Sequence, residues 1–505
     1  MILNNNNIKL IFGLKLKQLR INKKLSITKL AEKSGVSVSY LNEIENGKKY
    51  PKSDKIAAIS SALNVTYDKL VSLKLTKKLR PIEELLESNI LEQLPLDHYG
   101  IDLNKLIVLL TNASLPLSAL VSTLVELAKN SEMSEQNFSR TALRTYKEFN
   151  ENYFEDIEKS VNKFIAKFIL IKPHSIKSIL LEKILIDKYN YIIDTKTMNN
   201  YPSLSGIRSV VIPGIKNRLL LNKNLTESQK TFTLGKELGY NYLEIKDRNL
   251  AHSQMKVDSF DQLLNNFRAS YFSSALILNK QKLLKDVKVF FNQKKWDPNS
   301  LKELFNKYNS SPEMTFQRIA ALAPKFFNLN SMFFLRFNTT YDNREYNLIK
   351  ELRLNLDENP GGYTTEEHYC RRWVSLSVLK QAEKFGKKKK SKELFIDAQI
   401  SEFFVSKNKY FCFSVGSTNS PLSENYSSVT LGFLLNDNFK KQVKFWSDQG
   451  IKEKEVNNTC ERCLIKNCKE RASAPTKAEE QKNIEKIQET MAEMIEQLNR
   501  NQPIN

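Results

Sequence analysis

Residues 231–243, Thr-Phe-Thr-Leu-Gly-Lys-Glu-Leu-Gly-Tyr-Asn-Tyr-Leu, are the stretch that most constrains how this chain can fold. Read as a helix, the stretch collects four apolar side chains into one stripe: Phe232, Leu234, Leu238 and Leu243. Lys236, Glu237 and Tyr240 then lie together on an adjoining turn, at positions i, i+1 and i+4. The pattern predicts a helix, capped by Thr226, that packs through its stripe and brings three polar side chains together.

The spacing of these three polar residues is that of the HExxH motif. In that motif the two His bind Zn²⁺ and the Glu activates a water molecule. Here Lys236 and Tyr240, both poor zinc ligands, stand at the His positions, and Glu237 stands at the position of the base. We therefore expect no metal at this site and no enzymatic activity.

The positive charge of the chain is concentrated at its N-terminus. The formal net charge of the 505 residues is +22, and residues 1–80 hold 17 Lys and Arg against 5 Asp and Glu. Such an excess favours a polyanionic partner. At this length, with 41% hydrophobic residues, the chain can form several separate cores.

Residues 8–80 predict four or five short helices, with Ser26, Ser37 and Ser53 as N-caps and Gly35 in a turn. The sequences Leu-Ala-Glu-Lys-Ser-Gly-Val-Ser from residue 30 and Tyr-Leu-Asn-Glu-Ile-Glu-Asn-Gly-Lys from residue 40 resemble the XRE-type helix-turn-helix family. The resemblance implies that the second helix of the motif enters the DNA major groove. It also implies a double-stranded DNA operator as partner and a homodimer that reads two half-sites.

The same resemblance assigns roles to individual residues. Three would face base edges: Val38, Ser39 and Glu43. Six would lie near phosphates or groove walls: Ser37, Tyr40, Asn42, Asn46, Lys48 and Lys49. Arg20 and Glu45 are instead predicted to form an internal ion pair, because a carboxylate on a DNA-facing surface needs a cation beside it.

Strands are predicted over residues 188–194, 208–212 and 218–222, ahead of the central helix. Strands followed by an HExxH-like helix and by residues 261–278 resemble the ImmA/IrrE-type regulatory metallopeptidases. That family takes a third, acidic zinc ligand from the later helix, and the corresponding residue here is predicted to be Arg268. Lys236, Glu237, Tyr240 and Arg268 are therefore a candidate effector pocket, in which the cations either pair with Glu237 or hold an anion.

All five cysteines lie after residue 369, which does not resemble the disulfide framework of a secreted protein. Cys460, Cys463 and Cys468 form a C-x₂-C-x₄-C pattern, and Cys370, with His368 as its substitute, is the candidate fourth ligand of a structural Zn²⁺ site. An iron–sulfur or redox-responsive site and ordinary reduced thiols are the alternatives. Cys412 is predicted to lie in a strand and to point into the protein core.

No signal peptide or membrane-spanning stretch is visible, so we expect a cytoplasmic protein without membrane partner.

The predicted fold is multidomain, mainly α with α+β parts. The sequence predicts a helix-turn-helix domain (residues 1–78), then a helical spacer or dimerisation layer (79–175). A degenerate ImmA/IrrE-like domain with a zincin-like α+β fold follows (176–300). The last two divisions are a C-terminal α+β domain with the Cys cluster (301–475) and an amphipathic tail helix (476–505). In the tail, apolar residues recur at 3-4-3-4 spacing from Ile484 to Leu498, which suits pairing with a second copy or docking on the body of the protein.

The order of these parts resembles the short-chain fatty acyl transcriptional regulators. It predicts a DNA-binding transcriptional regulator that responds to an acyl-CoA or other anionic metabolite. Two alternatives remain from the sequence: a DNA-targeted metallopeptidase of the ImmA/IrrE type, and a phage-type immunity or antitoxin repressor without a small ligand.

Overall fold

A computed structural model describes most of the chain. The described residues are 5–72, 100–102, 105–106, 135–169, 175–248, 250, 259–339, 346–356, 367–386, 393–418 and 426–500. The chain divides into two compact units, residues 1–143 with 256–263 and residues 144–255 with 264–505. Most of the predicted spacer and the basic residues 387–390 lie outside the described residues. The five predicted domain divisions stay predictions.

Five helices make up the described N-terminal region: α1 Asn5–Asn22, α2 Ile27–Ser34, α3 Val38–Glu45, α4 Ser53–Leu63 and α5 Tyr67–Val71. The predicted caps Ser26 and Ser37 are confirmed, because their hydroxyl oxygens accept from the backbone N–H three residues on. Gly35 ends α2 with φ 66°, a left-handed conformation that glycine adopts without strain. The prediction that Ser53 caps α4 is wrong: Lys52 takes that position without a side-chain bond, and Ser53 is the first helical residue.

These helices pack around one small apolar core. Its buried members are Phe12, Leu16, Leu30, Val36, Leu41, Ile44, Ile56, Ile59, Leu63 and Leu70. Each helix thus buries one face and leaves its polar face exposed. The interval from α2 through Gly35 to α3 is a helix, a tight turn and a second helix, as the sequence predicts.

Three helices then lead to a small sheet: α6 Glu135–Phe149, α7 Glu155–Phe168 and α8 Ser178–Tyr189. The sheet has strands β1 Tyr191–Asp194, β2 Ser209–Ile212 and β3 Asn217–Leu221 in the order β1-β3-β2. β1 runs parallel to β3, and β2 runs antiparallel to it. The three strands predicted before the central helix are confirmed, although residues 188 and 189 belong to α8.

The central helix is α9, Glu227–Tyr242, and its predicted cap Thr226 forms a capping box with Gln229. It packs closely against α10, Phe260–Ile277. A side chain at Gly235 would approach the Ser273 hydroxyl oxygen to 2.5 Å, and one at Gly239 would approach the Ala269 carbonyl oxygen to 3.0 Å. The two glycines therefore allow the contact between the two helices.

The remaining described residues form a six-stranded sheet, helices that pack on both of its faces, and a C-terminal helix. Its helices are α11 Lys280–Phe291, α12 Pro298–Lys307, α13 Pro312–Phe327, α14 Val374–Gly386, α15 Asp437–Gln442 and α16 Thr476–Arg500. Its strands are β4 Met332–Thr339, β5 Asn347–Leu354, β6 Leu394–Phe403, β7 Lys409–Thr418, β8 Tyr426–Leu434 and β9 Lys452–Val456.

The strand order is β5-β4-β8-β7-β6-β9, with β6 and β9 parallel and the other pairs antiparallel. Helices α11 to α13 pack through an aromatic-rich core on one face, and α14 covers the other face. Cys412 is fully buried on the α14 side, as predicted. The multidomain α and α+β architecture is thus as expected.

A buried ion pair joins the helices next to the central one. Arg318 of α13 donates to Glu158 of α7 at 2.5 and 3.1 Å, and both side chains are almost completely buried. The Tyr271 hydroxyl of α10 donates to the same carboxylate at 2.9 Å. Because a buried charge without its partner is costly, this network fixes the mutual positions of the three helices.

Candidate functional site

The predicted DNA-contacting residues lie on and just after α3, and all of them are at least partly exposed. Those with exposed side chains are Ser37, Ser39, Asn42, Asn46, Lys48 and Lys49. Val38, Tyr40 and Glu43 are half-buried. The opposite face of α3 is anchored in the core through Leu41 and Ile44. The helix therefore presents its N-terminus and one polar side outward on a fixed support.

Arg20 of α1 and Glu45 at the end of α3 form the predicted internal ion pair. Two guanidinium nitrogens lie 2.6 and 2.8 Å from the two carboxylate oxygens. The Glu45 hydrogen bond raises the pKa of Arg20 against the lowering effect of burial. The pair holds α3 on α1 and removes Glu45 from the candidate DNA surface.

Glu43 is also paired, which the sequence did not indicate. The Lys49 ammonium lies 2.8 Å from a Glu43 carboxylate oxygen, on an exposed part of the surface. The Glu43 hydrogen bond raises the pKa of Lys49. In this arrangement the charge of Lys49 is compensated within the protein, whereas Lys48 has no ion-pair partner among the described residues.

The pocket formed at the HExxH-like turn contains Asn266 in place of the predicted Arg268. The Lys236 ammonium donates to the Asn266 side-chain oxygen, and the Tyr240 hydroxyl lies 3.3 Å from the same oxygen. Arg268 points elsewhere and pairs with Asp156 at 2.9 Å. The two positions are half a turn apart on α10, so the predicted residue falls on a different face of that helix.

Glu237 is held by residues that the sequence analysis did not identify. Arg248, just after α9, donates to both of its oxygens at 2.7 and 2.6 Å, and the Tyr191 hydroxyl donates at 2.5 Å. Tyr191 precedes Glu237 by 46 residues, so no local spacing reveals the contact. Both carboxylate oxygens of Glu237 are thus occupied by hydrogen-bond donors, and a water molecule would have to displace one of them to reach the carboxylate.

Lys236 is buried in this cationic environment. Burial, together with Arg248, Lys350 and Arg208, lowers the pKa of Lys236 to about 7, although Glu237 opposes the shift. The side chain is 6% exposed. A bound anion would stabilise the charged form of an amine in this environment.

Lys236 adjoins a wider group of charges, here called the cation cluster. Its members are Arg144, Lys147, Arg208, Lys236, Arg336, Lys350 and Arg353, with Glu148, Glu313 and Glu351 among them. Arg208 lies just before β2, and the others come from α6, α9, α13, β4 and β5. Cations outnumber carboxylates in this cluster, which leaves it with net positive charge.

The carboxylates of the cluster are each shared by several cations. Glu313 accepts from Arg336 and Lys350, both at 2.7 Å, and Glu351 accepts from Arg144 at 2.7 Å. Burial alone would raise the pKa of Glu313, but Lys350 and Arg336 hold it well below its ordinary range.

Burial disfavours the charged forms of other cations in the cluster. Burial lowers the pKa of Lys147 to about 8, with Lys350 adding to the effect. Burial also lowers the pKa of Arg208. In the described part of the chain, the Nε of Arg336 is buried without a hydrogen-bond partner. A bound anion would favour the charged forms of Lys147 and Arg208 and would offer an acceptor to the Nε of Arg336.

Three of the four candidate metal-binding cysteines lie close together. Cys370, Cys460 and Cys463 are buried, and Cys468 is half-buried. Burial raises the pKa of the Cys370 thiol to about 11, and Cys460 and Cys463 raise it further. The described residues contain no group of three or more His, Cys, Asp or Glu side chains placed to hold a metal ion. The zinc site therefore stays a prediction.

The backbone of the cysteine segment is fixed by Arg471 and by residues 367–370. The Arg471 guanidinium donates to the carbonyl oxygens of Cys460 and Cys463, each at 3.1 Å. The ring Nδ1 of His368 lies 2.7 Å from a Glu461 carboxylate oxygen. Its pairing with Glu461 gives His368 a structural contact that its sequence position did not reveal.

Comparison with known families identifies two parts of the chain. Residues 16–70 match the helix-turn-helix family model, and residues 192–320 match the IrrE N-terminal-like domain, a peptidase family. The chain thus contains an XRE-type helix-turn-helix domain followed by an IrrE-like domain. Among its described residues, no helix has the length and apolarity needed to cross a membrane.

Two individual proteins are similar to parts of the chain. The HTH-type transcriptional repressor RghR of Bacillus subtilis (strain 168) is 41% identical over 61 residues, which cover 12% of this chain and 45% of the repressor. The chain therefore matches less than half the length of this relative. A Mycobacterium tuberculosis transcriptional regulator of known structure aligns over 66% of this chain and 93% of its own, with 15% identity and a TM-score of 0.46.

Proposed function

We propose that the protein is a sequence-specific DNA-binding transcriptional regulator. The observation that carries the proposal is the exposed N-terminus of α3, supported on a closed core within the region that matches the helix-turn-helix model. The similarity to a repressor over 61 residues supports the same reading. The net charge of +22 favours a polyanion as partner.

In this proposal the first turn of α3 enters the major groove. Val38 and Ser39 approach base edges, and Lys48 lies near the phosphates. Glu43 stays paired with Lys49 on the flank of the helix, so it contributes less to base reading than its position suggests. The protein acts as a homodimer, in which each copy reads one half-site.

Footprinting of the purified protein on its own promoter region tests the DNA-binding part. We expect one protected site with two half-sites about one helical turn apart. Ser39→Ala should weaken this site without abolishing nonspecific binding, and Lys482→Ala, which removes an exposed charge from α16, serves as the control. Equal affinity for the site and for unrelated DNA would refute sequence-specific regulation.

The second part of the proposal is that residues 144–500 respond to an anionic metabolite. The cation cluster supports it, because the buried Lys236 and the half-buried Lys147 and Arg208 have lowered pKa values there, and cations outnumber carboxylates. The order of domains resembles regulators of acyl metabolism, so acyl-CoA thioesters, whose phosphates suit such a cluster, are the first ligands to test. Ligand binding would then shift the population between DNA-binding and non-binding arrangements.

Footprinting in the presence of acetyl-CoA, propionyl-CoA and free CoA tests the response. We expect one of these to change operator affinity at least tenfold, and Arg208→Met to reduce that change while leaving the ligand-free footprint intact. Lys246→Met, a change at an exposed lysine near α9, is the matched control. If no acyl-CoA changes the affinity, the sensing half of the proposal fails and the DNA-binding half stands; that outcome favours an immunity or antitoxin repressor without ligand.

We also propose that the IrrE-like domain is not an active peptidase. The support is the pairing of Glu237 with Arg248 and Tyr191, together with Lys236 and Tyr240 at the ligand positions. Incubation with candidate repressor substrates and Zn²⁺ tests the alternative of a metallopeptidase. Zn²⁺-dependent cleavage that disappears in Glu237→Gln, under conditions in which circular dichroism shows this variant to be folded, would overturn the proposal.

A structural zinc ion at Cys370, Cys460, Cys463 and Cys468 is proposed separately. Thiolates at this spacing have the chemistry that zinc prefers. Metal analysis of the purified protein should then find zinc that is lost in Cys463→Ser and kept in Cys412→Ser. Metal retained in both variants would exclude these ligands.

A further inference from the structure

Helix α16, Thr476–Arg500, is anchored at its first turn to the cysteine segment. The Lys477 ammonium lies 2.7 Å from the buried Glu367 carboxylate, and the Ala478 backbone N–H donates to the Glu461 carbonyl oxygen at 3.0 Å. These contacts fix the direction in which the helix leaves the sheet domain.

Beyond this anchor, α16 carries an apolar stripe that is exposed. Ile484, Ile487, Met491, Met494 and Ile495 are between 44% and 59% exposed. The first four have the 3-4-3 spacing of a coiled-coil seam. Exposed apolar side chains in such a continuous row mark an interaction surface rather than ordinary surface variation.

The distribution of charge along α16 indicates which partner fits the stripe. With Ile484 and Met491 at seam positions, the flanking positions hold the uncharged residues Asn483, Gln488 and Thr490. The charged residues from position 482 to 493 lie on the other side of the helix: Lys482, Glu485, Lys486, Glu489 and Glu493. A second copy of the same helix would therefore meet no like charge beside its seam.

A membrane surface is a poorer partner for the same stripe. The helix carries six Glu against four Lys and Arg, so its net charge is negative. Amphipathic helices that bind anionic lipid carry Lys and Arg along their polar face. On the polar side of α16, Lys482 and Lys486 are outnumbered by Glu485, Glu489 and Glu493.

We propose that α16 pairs with α16 of a second copy of this chain through the stripe from Ile484 to Ile495. The twelve residues span roughly 18 Å of helix, about two heptads. So short a seam is marginal by itself, and we expect reversible, micromolar pairing of the full chain. The proposal does not depend on DNA binding or on a ligand.

Sedimentation equilibrium of the full-length protein without DNA tests this pairing. The wild type should pass from monomer to dimer between about 1 and 100 µM, the range of modest protein association. Met491→Glu should raise the dissociation constant at least tenfold, because it places a charge in the seam of both copies. The matched control is Ala492→Glu, which adds the same charge to the neighbouring exposed residue on the other side of the helix.

The two variants separate the possible outcomes. Both substituted residues are exposed, so circular dichroism should show unchanged folding in each. A wild type that stays monomeric throughout the range would overturn the proposal, as would docking of the stripe on the protein's own body. Equal weakening by Met491→Glu and Ala492→Glu would also overturn it, because it would indicate a general charge effect.

Discussion

Glu237 and Arg248 form a buried bidentate ion pair, with nitrogen–oxygen distances of 2.7 and 2.6 Å. The guanidinium also stacks over the Tyr240 ring, 4.0 Å from its centroid. The polar side chains of this turn of α9 are thus engaged with a neighbouring segment. Glu237 neutralises Arg248, and the Tyr240 ring covers the guanidinium group.

Removal of the carboxylate should therefore destabilise the protein. Glu237→Gln leaves Arg248 charged and buried with weaker partners, so we expect a loss of about 3–5 kcal/mol in the free energy of unfolding. Urea unfolding followed by circular dichroism measures it. Glu244→Gln, at an exposed residue just after α9, should change the stability by less than about 0.5 kcal/mol. A loss as small as that of the control would mean that the pair is not structural.

The sequence predicted α9 and the grouping of its three polar side chains, because both depend on local spacing. Lys236, Glu237 and Tyr240 are within one turn of each other, and helical geometry alone brings them together. The sequence predicted that Arg268 of α10 lies beside these residues, but Asn266 takes that place. A sequence pattern does not fix how α10 is rotated against α9, so it could not distinguish the two positions. Gly235 and Gly239, which lack side chains, let the two helices approach closely.

Contacts between segments that are far apart in the sequence could not be predicted from the sequence. Arg248 lies in a connection without regular structure, and the cation cluster draws on strands and helices separated by up to about two hundred residues. Its carboxylates, such as Glu313 and Glu351, are ordinary surface residues by sequence. In contrast, the caps Ser26 and Ser37 and the Arg20–Glu45 pair were predictable, because the first two are local and the third follows a family pattern.

Lys236 should make stability depend on pH. Its pKa in the folded protein is about 7, below the ordinary lysine value of 10.5, so the unfolded chain binds more protons between these values. The free energy of unfolding therefore rises as the pH increases through this window. Relative to Lys236→Met, which cannot titrate, we expect the wild type to gain about 2 to 3 kcal/mol between pH 7 and 9.5.

Urea unfolding at both pH values measures this difference. Lys246→Met, at an exposed lysine, should follow the wild type within error. If the Lys236→Met and Lys246→Met variants show the same dependence on pH, Lys236 is not held in the buried state that the structure describes.

Loss of the Arg20–Glu45 pair should affect folding of the N-terminal helices rather than DNA contact. Arg20 is 13% exposed and Glu45 is 5% exposed, so Glu45→Ala leaves a largely buried guanidinium without its carboxylate. We expect a destabilisation of about 3 kcal/mol and a loss of operator binding that is recovered at lower temperature. Thermal unfolding and binding assays at 10 and 30 °C distinguish this from a lost contact, which would weaken binding equally at both temperatures.

Lys48 and Lys49 are adjacent and exposed, yet they should contribute differently to DNA binding. Lys49 is compensated by Glu43 at 2.8 Å, whereas Lys48 has no ion pair among the described residues. Lys48→Ala should therefore reduce the slope of log K against log salt by about 0.9, the value for one phosphate contact, and Lys49→Ala should reduce it by much less. Fluorescence anisotropy with operator DNA over a range of salt concentrations gives the slopes.

The variant Glu43→Gln provides the control, because it releases Lys49 from its partner. In that background Lys49→Ala should reduce the salt slope as much as Lys48→Ala does. Equal slopes for the two single variants in the wild-type background would show that the Glu43 pairing does not persist when DNA is bound.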